Sequence, residues 1–198
     1  MREPRGSAWT GSARLYARRG AELMDLGELA WRVRFADVAL SGAAHASIAV
    51  RPWGVAIHGL DATLPAAALA LLDPALHALG PQGTVRIRSE RLRIDAGSVL
   101  GLAEVEWRDA RLERARGLAL GSHVARLRGA GARVDIELAS LPGPLQIEGG
   151  GNWAAGGAFR ISGSAHAANA PLVEFLRGVC AEQRGPRCFF RYARASSL

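Results

Sequence analysis

The sequence predicts a mainly β protein: a curved or rolled antiparallel sheet from two related sheet-plus-short-helix units, with two short helices. Three observations predict it. Apolar residues recur at every second position in several segments, which puts them on one face of a strand and the intervening arginines on the other. Clusters of Gly and Pro separate these segments at short intervals. The 198 residues include 24 glycines, with 49% hydrophobic and 6% aromatic side chains, a composition that suits short strands, tight turns and a real core. One-sided alternation is the mark of antiparallel sheets with one wet face.

In chain order, Leu29, Trp31, Val33 and Phe35 alternate with Ala30, Arg32, Arg34 and Ala36. Ile48 and Val50, then Val55 and Ile57, flank the turn signal Arg51-Pro52-Trp53-Gly54. Pro65 to Leu79 carries Leu69, Leu72, Leu76 and Leu79 at helical spacing; Pro65 suits a first turn, and Asp73-Pro74 splits or kinks the helix. After the separator Pro81-Gln82-Gly83, Val85 and Ile87 alternate with Arg86 and Arg88, then Leu92 and Ile94 with Arg91, Arg93 and Asp95. The apolar positions change from odd to even, which predicts a bulge or turn near Ser89-Glu90. Val134, Ile136 and Leu138 alternate with Arg133, Asp135 and Glu137. Leu145 with Ile147 and Phe159 with Ile161 add short strands; Leu141-Pro142-Gly143-Pro144 and Gly149-Gly150-Gly151 read as breaks, the latter as a hairpin turn. Pro171 to Val179 is a second helix, with Leu172, Phe175, Leu176 and Val179 on one side. Both helices are expected to pack as lids on a sheet.

The halves of the chain share an order of features. Each helix follows a strand, begins with Pro and leads through Gly-Pro (Gly80-Pro81, Gly185-Pro186) into a strand, Thr84–Arg88 or Cys188–Tyr192. Ile57-His58-Gly59 matches Ile161-Ser162-Gly163, and Trp9 to Leu15 resembles Trp107 to Leu112 with one residue deleted. The chain therefore reads as one domain, residues 1–198, with a possible internal repeat of 1–100 and 101–198 sharing one sheet, because no linker divides them.

The formal charge is +7, and all 25 basic residues are Arg. A polyanion-binding surface is one reading. The arginines are spread along the chain and are not interleaved with the aromatics of a base-stacking platform, which favours solvated strand faces written by a GC-rich genome and no nucleic-acid partner. The longest apolar run, Ala62 to Leu72, is too short for a bilayer span of about 20 residues. Met1 leads straight into polar sequence, without the pattern of a signal peptide. Cys180 and Cys188 flank a Gly-Pro turn. Their even count and close spacing favour a disulfide and an oxidising compartment, with two separate buried thiols as the alternative.

No catalytic constellation stands out, and neither a metal nor a cofactor is expected. His45, His58, His77, His123 and His166 show no metal-ligand spacing. Gly149-Gly150-Gly151 lacks the Lys of a phosphate loop, and there is no Gly-x-Ser-x-Gly elbow. Glu104, Glu106 and Asp109 lie near Trp107 as carboxylates might in a glycosidase, but a solvated strand face explains them equally well. Arg86, Arg88, Arg91 and Arg93 project from one β region and are the candidate partner-binding residues, expected to face solvent and to matter more for assembly than for folding.

Gly6-Ser7-Ala8-Trp9-Thr10-Gly11-Ser12-Ala13 resembles the Gly-x-x-Trp-x-Gly-x-Ala signature of type II secretion system protein N. Leu26-Gly27-Glu28-Leu29-Ala30-Trp31 is similar to that family's Leu-x-x-Leu-x-Trp strand, and the Pro-helix-Gly-strand unit and Gly149–Trp153 also look like it. The resemblance covers nearly the whole chain. It implies the periplasmic β-domain of a protein held in the inner membrane by one N-terminal anchor, an anchor this chain lacks. Such a protein works in a machine that exports folded proteins through an outer-membrane secretin, with the secretin's periplasmic domains as the first expected partner and the inner-membrane platform the second. No catalytic residue carries over. A bent sheet with an apolar face has another possible use, holding acyl chains, and a periplasmic lipid-binding or transport protein is the alternative reading.

Overall fold

The computed structural model describes residues 2–19, 22–34, 37–71, 74–154, 157–178, 180–184 and 187–194. The expectations for Phe35, Ala36, Leu72, Asp73, Val179, Gly185 and Pro186 lie outside these residues. Fourteen strands form a single antiparallel sheet: β1 (Arg2–Gly6), β2 (Thr10–Arg19), β3 (Glu22–Arg34), β4 (Asp37–Gly42), β5 (Ala44–Arg51), β6 (Gly54–Pro65), β7 (Pro81–Asp95), β8 (Ser98–Leu112), β9 (Leu118–Gly131), β10 (Arg133–Ser140), β11 (Leu145–Ala154), β12 (Phe159–Ala167), β13 (Glu182–Arg184) and β14 (Arg187–Arg194). Strands neighbour one another in sequence order, except that β14 pairs with β12 and β13 lies outside it. The sheet is open: β1 forms one edge, and β13 with β14 the other.

Register turns the period-two pattern into two chemically distinct faces, because directly paired residues project to the same side. One cross-strand row runs Val33, Val38, Ile48, Ile57, Leu92, Gly101, Gly129, Val134, Trp153 and Phe159, one residue from each strand from β3 to β12. Every member is apolar. On the opposite face Asp61, Arg88, Glu104, Arg126 and Glu137 pair directly across β6 to β10.

The parity change near Ser89-Glu90 is a bulge, and it spans two strands. Arg88 pairs with Glu104 and Leu92 with Gly101, so four steps along β7 face three along β8. On the other side, His45 pairs with Asp61 and Ser47 with His58, so three steps along β6 face two along β5. Between β6 and β7 the register is unbroken. Both strands thus carry one extra residue at the same level and bend together. The Ser89 hydroxyl donates to the Leu102 carbonyl at 2.6 Å, and Gly101 takes a positive φ of 126° where a Cβ would lie 2.2 Å from the Arg91 carbonyl oxygen. A side chain at Gly101 would push β8 off the bulge.

The helices depart from expectation in their boundaries. β6 runs through Pro65, whose last pairing is with Thr84, so Pro65 ends a strand and does not start a helix. A 3-10 helix (Ala66–Leu71) follows, then α1 (Pro74–Leu79), so the first expected helix is two short ones. Pro74 begins α1, where its missing N–H costs nothing. α2 (Ala170–Arg177) is capped by Asn169, whose side chain accepts from the Leu172 N–H at 3.0 Å. All three helices follow even-numbered strands, β6 and β12, and therefore share one rim of the sheet. Two expected breaks lie inside strands: Pro81-Gln82-Gly83 opens β7, and Gly149-Gly150-Gly151 forms the middle of β11, not a hairpin turn. A Cβ at Gly163, which pairs with Gly149, would lie 2.8 Å from the Phe190 ring of β14, so glycine here admits a neighbour's aromatic side chain.

The core sits under the helix rim. Leu172 and Leu176 of α2 pack on Leu112, Leu120, Leu145, Ala165 and Cys188 from β8, β9, β11, β12 and β14, with Leu79 of α1 alongside. Cys188 is disulfide-bonded to Cys180, just beyond α2, and β14 is thereby fastened to the helix. Thiol titration of the unreduced, denatured protein should find no free thiol, and Cys180→Ser should cost about 2 kcal/mol of stability in chemical denaturation, as expected for opening so short a loop.

Candidate interaction surfaces

Arg86, Arg88, Arg91 and Arg93 lie on β7 on the charged face. The bulge keeps them on one side: before it the arginines alternate with Val85 and Ile87, after it with Leu92 and Ile94. The expectation that they face solvent holds for position but not for partnership. Arg86 makes a bidentate pair with Asp61, with Nε to Oδ1 at 2.9 Å. Arg88 reaches Glu104 at 2.8 Å and Glu106 at 3.9 Å. Arg93 pairs with Asp95 at 2.8 Å. The acidic partners of Arg86 and Arg88 are on neighbouring strands, distant in sequence, so alternation along β7 could not show them.

Glu106 is the pivot of this network. It is 7% exposed and accepts from Arg108 Nη2 at 2.8 Å, which corrects the expectation of a solvated carboxylate. The Arg108 hydrogen bond holds its carboxyl below the usual carboxylate range against the opposing effect of burial, with Arg88 and Arg86 adding attraction. Glu104 is shared by Arg88 at 2.8 Å and Arg126 at 3.4 Å. A cleft of about 780 Å³ opens beside these charges at the bulge, lined among others by Asp61, Arg88, Glu104, Arg126 and Glu137. Two of its carboxylates are engaged by arginines, Asp61 by Arg86 and Glu104 by Arg88 and Arg126, so fixed ion pairs line one side of the cleft.

The histidines do not converge. His45 pairs across strands with Asp61, His58 and His166 are exposed in β6 and β12, and His77 is in α1. His123 is the structured one: its Nδ1 lies 2.7 Å from Ser140 Oγ, Trp107 meets its ring edge-on at 6.4 Å, and burial depresses its pKa. Among the described residues no group of three or more His, Cys, Asp or Glu could hold a metal ion.

The opposite face is apolar, and the helices cover it only along their rim. Tyr192, Val50 and Ile94 are 49%, 50% and 41% exposed there. The open edge offers backbone groups instead of side chains. β13 pairs only with Arg187, Cys188 and Phe189; among the described residues no strand lies outside Phe190–Arg194. The Phe189 carbonyl accepts from Ala181 on the outer side. By the two-residue alternation of an antiparallel strand, Arg191 and Ala193 also point their N–H and C=O groups outward.

The Glu106 site generates a pH prediction. A carboxylate whose folded pKa is lowered stabilises the fold fully above its unfolded value, about 4.3, and that contribution is lost as pH falls through the folded value. Glu106→Gln should lower stability by roughly 2 kcal/mol at neutral pH, and the gap to the parent chain should narrow below about pH 4. Urea unfolding at a series of pH values measures both.

No helix among the described residues is long and apolar enough to cross a membrane. No curated protein matches the chain. No solved structure matches it either. The family model described as type II secretion system (T2SS), protein N matches residues 1–181. With a motif order, an in-register open sheet and a family match that all span most of its length, the chain belongs to the type II secretion system protein N family.

Proposed function

We propose that this chain is a non-enzymatic accessory component of the type II secretion machinery that docks onto a second component through the free edge of its sheet. The observation that carries the reading is the outward-facing backbone of β14 from Phe190 to Arg194. Unpaired N–H and C=O groups in a row accept an added strand. Arg187, Arg191 and Arg194 give that edge a positive charge, which suits a partner strand carrying acidic residues. The periplasmic domains of the secretin are the first partner in this reading and the inner-membrane platform the second. The family membership supports both.

In the same reading the domain is periplasmic and tethered to the inner membrane by an N-terminal anchor, which raises the local concentration of the partner and permits moderate affinity. Residues 1–198 act as one domain of two related units, 1–100 and 101–198; the placement of helices after β6 and β12 at a common rim supports this. The charged face is a second contact surface, with Arg91 its freest arginine on β7: no ion pair engages it among the described residues.

Calorimetry with purified secretin periplasmic domains at physiological salt should show binding. Arg191→Pro, which removes an outward N–H without touching the ladder to β12, should weaken it at least tenfold with unchanged circular dichroism. Paired Arg91→Ser and Arg93→Ser changes should weaken it less and leave the melting temperature nearly unaltered. Full affinity in the proline variant would move the interface away from this edge, and no binding to secretin or platform domains would overturn the docking role.

A further inference from the structure

We propose that the apolar face of the sheet binds the acyl chains of phospholipids with anionic headgroups. The ten-strand row from Val33 to Phe159 carries no side chain that donates or accepts a hydrogen bond apart from the Trp153 indole at its far end. At about 4.8 Å per strand step the row extends roughly 43 Å. α2 packs on the core at the rim and the 3-10 helix against β7 and β3, and exposure along the row reaches 36% at Trp153, with Val134 covered at 3%. Monomeric proteins rarely leave so long an apolar surface open unless something occupies it.

The chemistry of the face selects the occupant. An extended protein segment laid flat on it would bring backbone N–H and C=O groups that these side chains cannot satisfy. A hydrocarbon chain has no such groups and loses nothing. At the margin opposite the helices, the side chains change to amphipathic rings and a cation. Trp153, 36% exposed, and Tyr192, 49% exposed, lie there; the Tyr192 ring meets Phe159 at 6.0 Å with the planes tilted by 59°, and Arg194, which pairs with Phe159, shares their side of the sheet. Tyr and Trp suit a boundary between hydrocarbon and water. Arg194 makes no ion pair among the described residues, which leaves its guanidinium group for a phosphate.

The test needs no secretion partner, so its outcome is separate from that of edge docking. The 198-residue chain is purified without detergent, and its organic extract is analysed by mass spectrometry for phospholipid. Fluorescent phosphatidylglycerol and phosphatidylcholine are then titrated into it. Near-stoichiometric phospholipid is expected, with at least fivefold preference for phosphatidylglycerol. Ile94→Glu and Tyr192→Glu should each cut bound lipid at least fivefold, whereas Leu102→Glu, at a 58% exposed position on the charged face, should not change it. Arg194→Ser should abolish the headgroup preference. Because a glutamate variant can fail to fold, photo-crosslinking of a diazirine-labelled acyl chain to the parent chain gives a second reading, with adducts expected on the apolar row. No extractable lipid together with no saturable uptake, equal loss in Leu102→Glu, or adducts confined to the charged face would overturn the proposal. Equal affinity for the two headgroups would overturn its anionic part.

Discussion

Cross-strand register is the constraint on which the rest of this structure depends. A period-two pattern in one strand yields only a local amphipathic ribbon. Here the patterns of successive strands are held in phase, so Val33 of β3 and Phe159 of β12 finish on the same side although nine strand pairings separate them. A slip of one residue at any pairing would exchange the faces of everything beyond it. At the level of Ser89 the phase changes in both strands of a pair at once: β6 and β7 each take one extra residue, and both faces survive the interruption.

The same register organises the charges. Asp61, Arg88, Glu104, Arg126 and Glu137 alternate in sign because they occupy equivalent positions on adjacent strands. Exposed pairs of this kind contribute little individually. Glu106 differs, because its carboxylate is covered and three arginines surround it. The strongly basic composition is therefore partly neutralised within the sheet on this face, and what remains for a partner is set by the arginines that lack a cross-strand acid.

Much of this was legible in the sequence. Alternation identified the β3, β7 and β10 strands and their polar sides, and the parity change between Ile87 and Leu92 located the bulge. The Cys180–Cys188 spacing and the Gly-Pro turn pointed to the disulfide. What the sequence concealed was long-range. Gly149-Gly150-Gly151 looks like a turn in isolation, but it sits in mid-strand, where the backbones of β10 and β12 approach so closely that a Cβ would meet their carbonyl oxygens. Pro65 looks like a helix start, but pairing with Thr84 keeps it in β6. The engagement of Arg86 with Asp61 joins residues 25 positions apart. The order of motifs, more than any single one, pointed to the family.

The meander has a further consequence. Almost every strand contacts only its sequence neighbours, so the molecule behaves as a one-dimensional array whose stability is close to a sum of nearest-neighbour terms. Such an array unravels from its ends, and a chain delivered N-terminus first can add each strand to the one before it without waiting for distant segments. The last strands are the vulnerable ones, since nothing comes after them to hold them down. In this protein the order β12–β14–β13 and the covalent link from Cys188 back to the segment after α2 act as an end-stop, bolting the final rung of the ladder to the helix that packs on the rungs before it.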